Sequence, residues 1–104
     1  MQIFGLKTCD TCRKARKALP EAEFVDVREV PLPDAVLASA LDRFGTDLVN
    51  TRSTTWRGMS DEDRAMAPDA QLRAFPALMK RPLIQAGDQM YLGWTKDVQA
   101  ALVL

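Results

Sequence analysis

Two cysteines, Cys9 and Cys12, frame the motif Cys9-Asp10-Thr11-Cys12, and the chain has no others. Their chemistry is that of thiols. The thiolate is the nucleophile, so a cysteine that works near neutral pH needs its negative charge stabilised. A sulfur that attacks a disulfide also needs a second thiol to release the mixed disulfide it forms. The sequence around Cys9 offers stabilisation in two ways. Cys9 stands at the expected N-terminus of a helix, where unpaired N–H groups and the macrodipole favour an anion. Lys7, Arg13 and Lys14 add positive charge, with Asp10 acting against them. Such surroundings lower a cysteine pKa from about 8.5 to roughly 3.5–7.5. The expectation is a depressed pKa at Cys9. Cys12, one turn later and turned partly inward, is read as the resolving thiol; the other reading makes it a small buried core residue.

What the chain lacks narrows the chemistry further. It has no histidine, which removes the commonest general base and any Cys-His or Ser-His-Asp arrangement. The thiolate must therefore be prepared electrostatically. Two cysteines fall short of the four ligands of a structural zinc site, so no metal is expected. Fourteen basic residues balance fourteen acidic ones. No broad positive field marks a nucleic-acid binder, although local patches stay open. The start, Met1-Gln2-Ile3-Phe4-Gly5, is too short and uncharged for a signal peptide, and no apolar run reaches membrane-spanning length. A cytoplasmic setting follows as the expectation. There a Cys-x-x-Cys pair is more often catalytic, redox-sensing or metal-binding than structural.

The elements that must position the pair can be read along the chain. At 104 residues the chain has the size of one domain. Residues 1–4 read as a buried strand stopped by Gly5, and Leu6-Lys7-Thr8 delivers Cys9. Residues 10–19 read as a helix with Cys12, Ala15, Ala18 and Leu19 on one side, ended by Pro20. Residues 23–27 form a second strand, expected to run parallel to the first. A helix over 34–44 carries Val36, Leu37, Ala40, Leu41 and Phe44 at helical spacing, with Gly45 at its end. Residues 46–80 read as an insert of short helices, with Ser60 and Asp63 as a near capping box and a helix over 69–75 broken at Pro76. Residues 82–86 and 89–92 form a hairpin around Gly87-Asp88. Thr95 caps a last helix with Val98, Ala101 and Leu102 inward. The whole is an α/β fold of thioredoxin order: a mixed four-stranded sheet, flanking helices, and a helical insert before the last hairpin.

The sequence resembles the arsenate reductase-related (ArsC/Spx) family of thioredoxin-fold proteins. The likeness rests on Cys9-Asp10-Thr11-Cys12-Arg13-Lys14-Ala15-Arg16, Asn50-Thr51-Arg52-Ser53-Thr54, Lys80-Arg81-Pro82-Leu83 and Leu92-Gly93-Trp94, in that order. Within the family it is nearest the small bacterial branch called YffB-like, whose members are proposed to be glutathione-dependent thiol reductases. The resemblance implies that Cys9 is the nucleophile, that Arg81 lies beside it, and that Pro82 is the cis proline of thioredoxin-like folds. It implies that Arg52 is a second active-site arginine. Thr8, Asp10, Thr11 and Arg13 would border the substrate with Arg52 and Pro82. A third arginine of arsenate reductases falls at Trp94 here, with Lys96 near.

Three functions follow from these readings. The leading one is a thiol–disulfide oxidoreductase with glutathione as co-substrate, no tightly bound cofactor, and thioredoxin or glutaredoxin as other reductants. The second is arsenate reduction, with Arg52, Arg81 and the helix N-terminus holding the oxyanion; Trp94 counts against it. The third is an Spx-like regulator binding RNA polymerase, with the cysteine pair as a redox switch; the sequence ends at Leu104 without the charged tail of typical Spx proteins. A noncatalytic thioredoxin-like adaptor is a further alternative. Arg52 and Arg81 could also be ordinary ion-pair residues, and Trp56 and Trp94 read as packing.

Overall fold

The computed structural model describes residues 1–103. Packing divides the chain into two compact units. One is Met1–Val30 together with the chain from Arg81 onward; the other is Pro31–Lys80. The second unit thus begins before residue 46 and takes in the helix over 34–44 as well as the short helices that follow.

The first unit is built on four short strands: β1 (Gln2–Gly5), β2 (Glu23–Asp26), β3 (Leu83–Ala86) and β4 (Gln89–Leu92), in the order β2-β1-β3-β4. β1 runs parallel to β2 and antiparallel to β3, and β3 and β4 form the hairpin. Register explains the core. Phe24, Ile3, Ile84 and Tyr91 are successive cross-strand partners, so their side chains stand in one row on one face of the sheet. Helix α1 (Asp10–Ala18) and the C-terminal helix over Lys96–Leu102 cover that row. Ala15 and Leu19, at the end of α1, and Val98 of the last helix close over Ile3 and Ile84, with Phe24, Tyr91, Trp94 and Leu102 at the margin. Ile3 and Ile84 have no exposed surface; each such side chain is stabilised by about 1.5–3 kcal/mol on burial. Two alanines expected in this core, Ala18 and Ala101, are exposed. Each lies on the flank of its helix stripe rather than at its centre.

In the second unit, α2 (Asp34–Phe44) leads into a 3₁₀ turn over Gly45–Leu48. Three short helices follow: α3 (Thr54–Arg57), α4 (Asp61–Arg64) and α5 (Pro68–Ala74). Ser53 and Ser60 cap α3 and α4 by accepting from the N–H groups of Trp56 and Asp63, as the Ser60–Asp63 spacing anticipates. Gln71 is buried, and its amide donates to the carbonyls of Asp63 and Arg64, both at 3.0 Å, satisfying the end of α4. Arg73 of α5 pairs with Asp34 of α2 at 2.6 Å. The last helix of the chain is α6 (Lys96–Leu102), and Thr95 caps it by accepting from Val98 N–H. The parallel β1–α1–β2 unit, the antiparallel hairpin and the intervening helices are the thioredoxin-like arrangement. Among the described residues no helix is long and apolar enough to cross a membrane.

Candidate active site

The loop Leu6–Thr8 leaves β1 and turns the chain into α1. Lys7 holds it from three sides. Its N–H donates to Asp26 Oδ2 at 3.0 Å, its carbonyl accepts from Arg13 Nε at 3.1 Å, and its ammonium binds both carboxylate oxygens of Glu29 at 2.9 and 3.0 Å. Asp26 also accepts from Arg28 N–H. These N–H donors, that of Lys7 foremost, hold the Asp26 carboxyl below its ordinary pKa. Cys9 N–H closes the turn onto the Leu6 carbonyl at 3.1 Å. The result sets Cys9 at the N-cap of α1, in extended backbone geometry.

The two cysteines are not bridged to each other, Cys9 half-buried and Cys12 fully buried. Cys12 occupies a space that only a glycine allows: a Cβ built on Gly5 would run into Cys12 Sγ. Gly5 was expected only to stop the strand. Its lack of a side chain is what lets the second sulfur sit beneath the first turn of α1.

The electrostatics separate the two sulfurs. Burial pushes the Cys9 pKa upward, but the N–H and thiol of Cys12 and the Arg81 guanidinium together outweigh it and hold Cys9 below the ordinary thiol value. For Cys12 burial dominates; the Leu6 N–H pulls against it, the neighbouring Cys9 adds to it, and the pKa is pushed up to about 12. The two sulfurs are shifted in opposite directions, Cys9 toward the thiolate and Cys12 toward the protonated thiol. Of the charges nearby in sequence, two are engaged elsewhere. Lys7 pairs with Glu29 and Arg13 with Asp10 at 3.7 Å, while the Arg81 guanidinium acts on Cys9 from the segment before β3. Sequence reading around Cys9 had no signal for Glu29 or Asp26, which meet Lys7 only through the fold.

Arg81 comes from the segment entering β3. The Arg81–Pro82 bond is cis. Pro82 is fully buried, and its carbonyl accepts from Gly93 N–H at 2.8 Å, which anchors this segment to the end of β4. Gly93 adopts φ 84°, a conformation natural to glycine. Pro82 therefore holds the backbone that carries Arg81 and presents little surface of its own. Thr8, Asp10, Thr11 and Arg13 are exposed around Cys9. Arg52 belongs to the other unit, exposed, with its N–H donating to Asn50 Oδ1. Trp94 packs at the margin of the core cluster. Trp56 is half-buried, and its carbonyl accepts from Arg64 Nε. Among the described residues no three acidic or cysteine side chains gather as metal ligands would.

The ArsC family model matches residues 4–102. An uncharacterized protein of Haemophilus influenzae is 37% identical over 110 residues, spanning 95% of this chain and 96% of that one. The uncharacterized Bacillus subtilis protein YusI is 30% identical over 109 residues, spanning 93% and 92%. Among solved structures, the YffB (PA3664) protein superposes with a TM-score of 0.85 at 28% identity, over 99% of this chain and 98% of the other. An arsenate reductase (ArsC) related protein from Brucella melitensis superposes with a TM-score of 0.68 at 26% identity, over 99% and 94%. The family model spans nearly the whole chain, and the chain belongs to the ArsC family.

Proposed function

We propose that this chain catalyses thiol–disulfide exchange through Cys9, with glutathione as the reducing thiol. The observation that carries the reading is the pairing of a half-exposed sulfur favoured as an anion with a buried sulfur that holds its proton. A reductase-like redox role agrees with membership of the ArsC family. The Cys9 thiolate attacks one sulfur of a substrate disulfide R–S–S–R′. The S–S bond breaks, R′–S⁻ leaves and takes a proton from water, and Cys9 becomes a mixed disulfide with R. Two routes complete the cycle. Glutathione thiolate attacks the Cys9 sulfur and expels R–S⁻; a second glutathione then releases Cys9 as thiolate and leaves as oxidised glutathione. In the other route Cys12 gives up its proton, attacks the Cys9 sulfur and expels R–S⁻, and two glutathione molecules reduce the internal disulfide.

Formation of the mixed disulfide removes the negative charge of Cys9, one of the influences that keep Cys12 protonated. The resolving thiol is thereby eased toward ionisation only after the nucleophile has reacted. Arg81 faces the thiolate before attack and the departing charge after it. Thr8, Asp10, Thr11 and Arg13 border the approach, and Arg52 is assigned to substrate carboxylates by resemblance. Arsenate is the weaker reading, because the position of its third arginine is a tryptophan packed at the core.

The test is glutathione-dependent reduction of a mixed-disulfide substrate by wild type, Cys9→Ser and Cys12→Ser. Cys9→Ser is expected to abolish turnover, and Cys12→Ser to leave a slower glutathione-only route. Equal rates in all three would overturn the proposal.

A further inference from the structure

The outer face of α1 carries an open cleft of about 560 Å³ lined by Arg13, Arg16, Lys17, Pro20, Ala22 and Phe24. Residues 13, 16 and 17 share one strip of α1 at helical spacing, Pro20 follows the end of that helix, and Phe24 comes from β2 at the sheet edge. The Arg16 guanidinium lies 4.2 Å from the centroid of the Phe24 ring. A guanidinium held over a ring can still donate its N–H groups to a ligand. Among the described residues no carboxylate forms an ion pair with Arg16 or Lys17, whereas Lys7, Arg13, Arg64 and Arg73 each have one. The acid that meets Arg13 is 3.7 Å away and largely exposed. Three cations therefore gather over an apolar floor in a chain of zero net charge.

The cleft begins next to the reactive sulfur. Arg13 N–H donates to the Cys9 carbonyl at 3.0 Å, and Arg13 Nε donates to Lys7 on the loop that carries Cys9. From Cys9 to Lys17 the helix rises about 12 Å, the length of about four residues of extended chain.

Resting on the thiol–disulfide reading, we propose that this cleft docks an acidic peptide segment beside the substrate's disulfide, so that the substrate class is a protein disulfide in acidic sequence. Carboxylates within about four residues of the reacting cysteine meet Arg13, Arg16 and Lys17 while the disulfide meets Cys9. Arginine suits this role because its fork matches a carboxylate. Nucleic acid fits less well. The chain as a whole is neutral, and the ring in the cleft already has a face covered by Arg16.

The test has a binding arm and a turnover arm. A fluorescent acidic hexapeptide with serine in place of cysteine is titrated against wild type, beside its Asn/Gln isostere and a single-stranded oligonucleotide of equal charge. Two or three exposed charge pairs amount to about a tenfold preference for the acidic peptide at low salt, shrinking as salt rises. Arg16→Gln/Lys17→Gln, which changes exposed side chains only, is expected to erase most of that preference while leaving Cys9 alkylation unchanged. In the turnover arm, kcat/KM for the matching mixed disulfides follows the same order. Equal binding of the isostere, an undiminished preference in the double variant, or tighter binding of the oligonucleotide would overturn the proposal. The peptide in the binding arm has no sulfur. Intact preference without turnover therefore counts against the exchange reading, and turnover without preference counts against the cleft.

Discussion

Replacing Gly5 by alanine tests how the two sulfurs are packed. A methyl at this position collides with Cys12 Sγ, and Gly5 is a buried residue of a central strand paired on both sides. The sulfur, the first turn of α1 or β1 must move. Inserting a methyl into a packed core costs about 1–3 kcal/mol. Alanine recovers about 0.5–1 kcal/mol of the chain entropy that glycine loses on folding, so the net loss expected for Gly5→Ala is about 0.5–2 kcal/mol. Cys12→Ala alone removes one buried sulfur, at about 1 kcal/mol. In the Cys12→Ala background the collision is absent, and Gly5→Ala should become neutral or stabilising. The double-mutant cycle then carries a coupling of about 1–3 kcal/mol between residues 5 and 12. Urea unfolding of the four proteins reads it directly. Additive effects, with coupling under about 0.3 kcal/mol, would refute the packing described here. The same displacement should raise the Cys9 pKa in Gly5→Ala, because Cys12 supplies two of the hydrogen bonds that lower it.

Arg81→Gln keeps a polar side chain but removes the charge, and should raise the Cys9 pKa in a thiolate absorbance titration; an unchanged value would remove Arg81 from the site. Cys12 is held protonated up to about 12 in the folded protein, against about 8.5 for a free thiol. Between those values the unfolded chain has lost a proton that the folded chain keeps, so stability should fall as pH rises, at up to about 1.4 kcal/mol per pH unit. Denaturant midpoints from pH 8 to 10 should show this slope in wild type and a shallower one in Cys12→Ala. Asp26→Ala frees Lys7 N–H and Arg28 N–H; the loop before Cys9 should then show faster amide exchange than in wild type. The depressed Asp26 carboxyl contributes stability that is present above its unfolded pKa and lost as pH falls through its folded one, a dependence that Asp26→Ala should lack.

The frame of this protein is largely written in local patterns. Alternating apolar residues, Gly87-Asp88, and Ser60 and Thr95 before their helices specify elements through neighbours in the chain, and the structure forms them there. The cysteine motif likewise announces itself by spacing. The source of its reactivity does not. Nearby lysine and arginine look like charge available to Cys9, yet Lys7 is claimed by Glu29 across the loop, and the effective cation enters from the far end of the chain. Arg81 was legible through family resemblance, not through composition or period. The need for glycine at position 5 was hidden for a similar reason, since it arises from a sulfur on another element. Ala18 and Ala101 mark the limit of helical periodicity: the stripe gives a direction, and residues on its flank can still lie exposed.

The most direct test follows alkylation of each cysteine against pH by mass spectrometry in the reduced wild-type protein. Modification of Cys9 should reach half its limiting rate below the ordinary cysteine pKa, while Cys12 stays unmodified until the protein unfolds. Cys9 reacting only above that value, or Cys12 reacting first, would contradict the account.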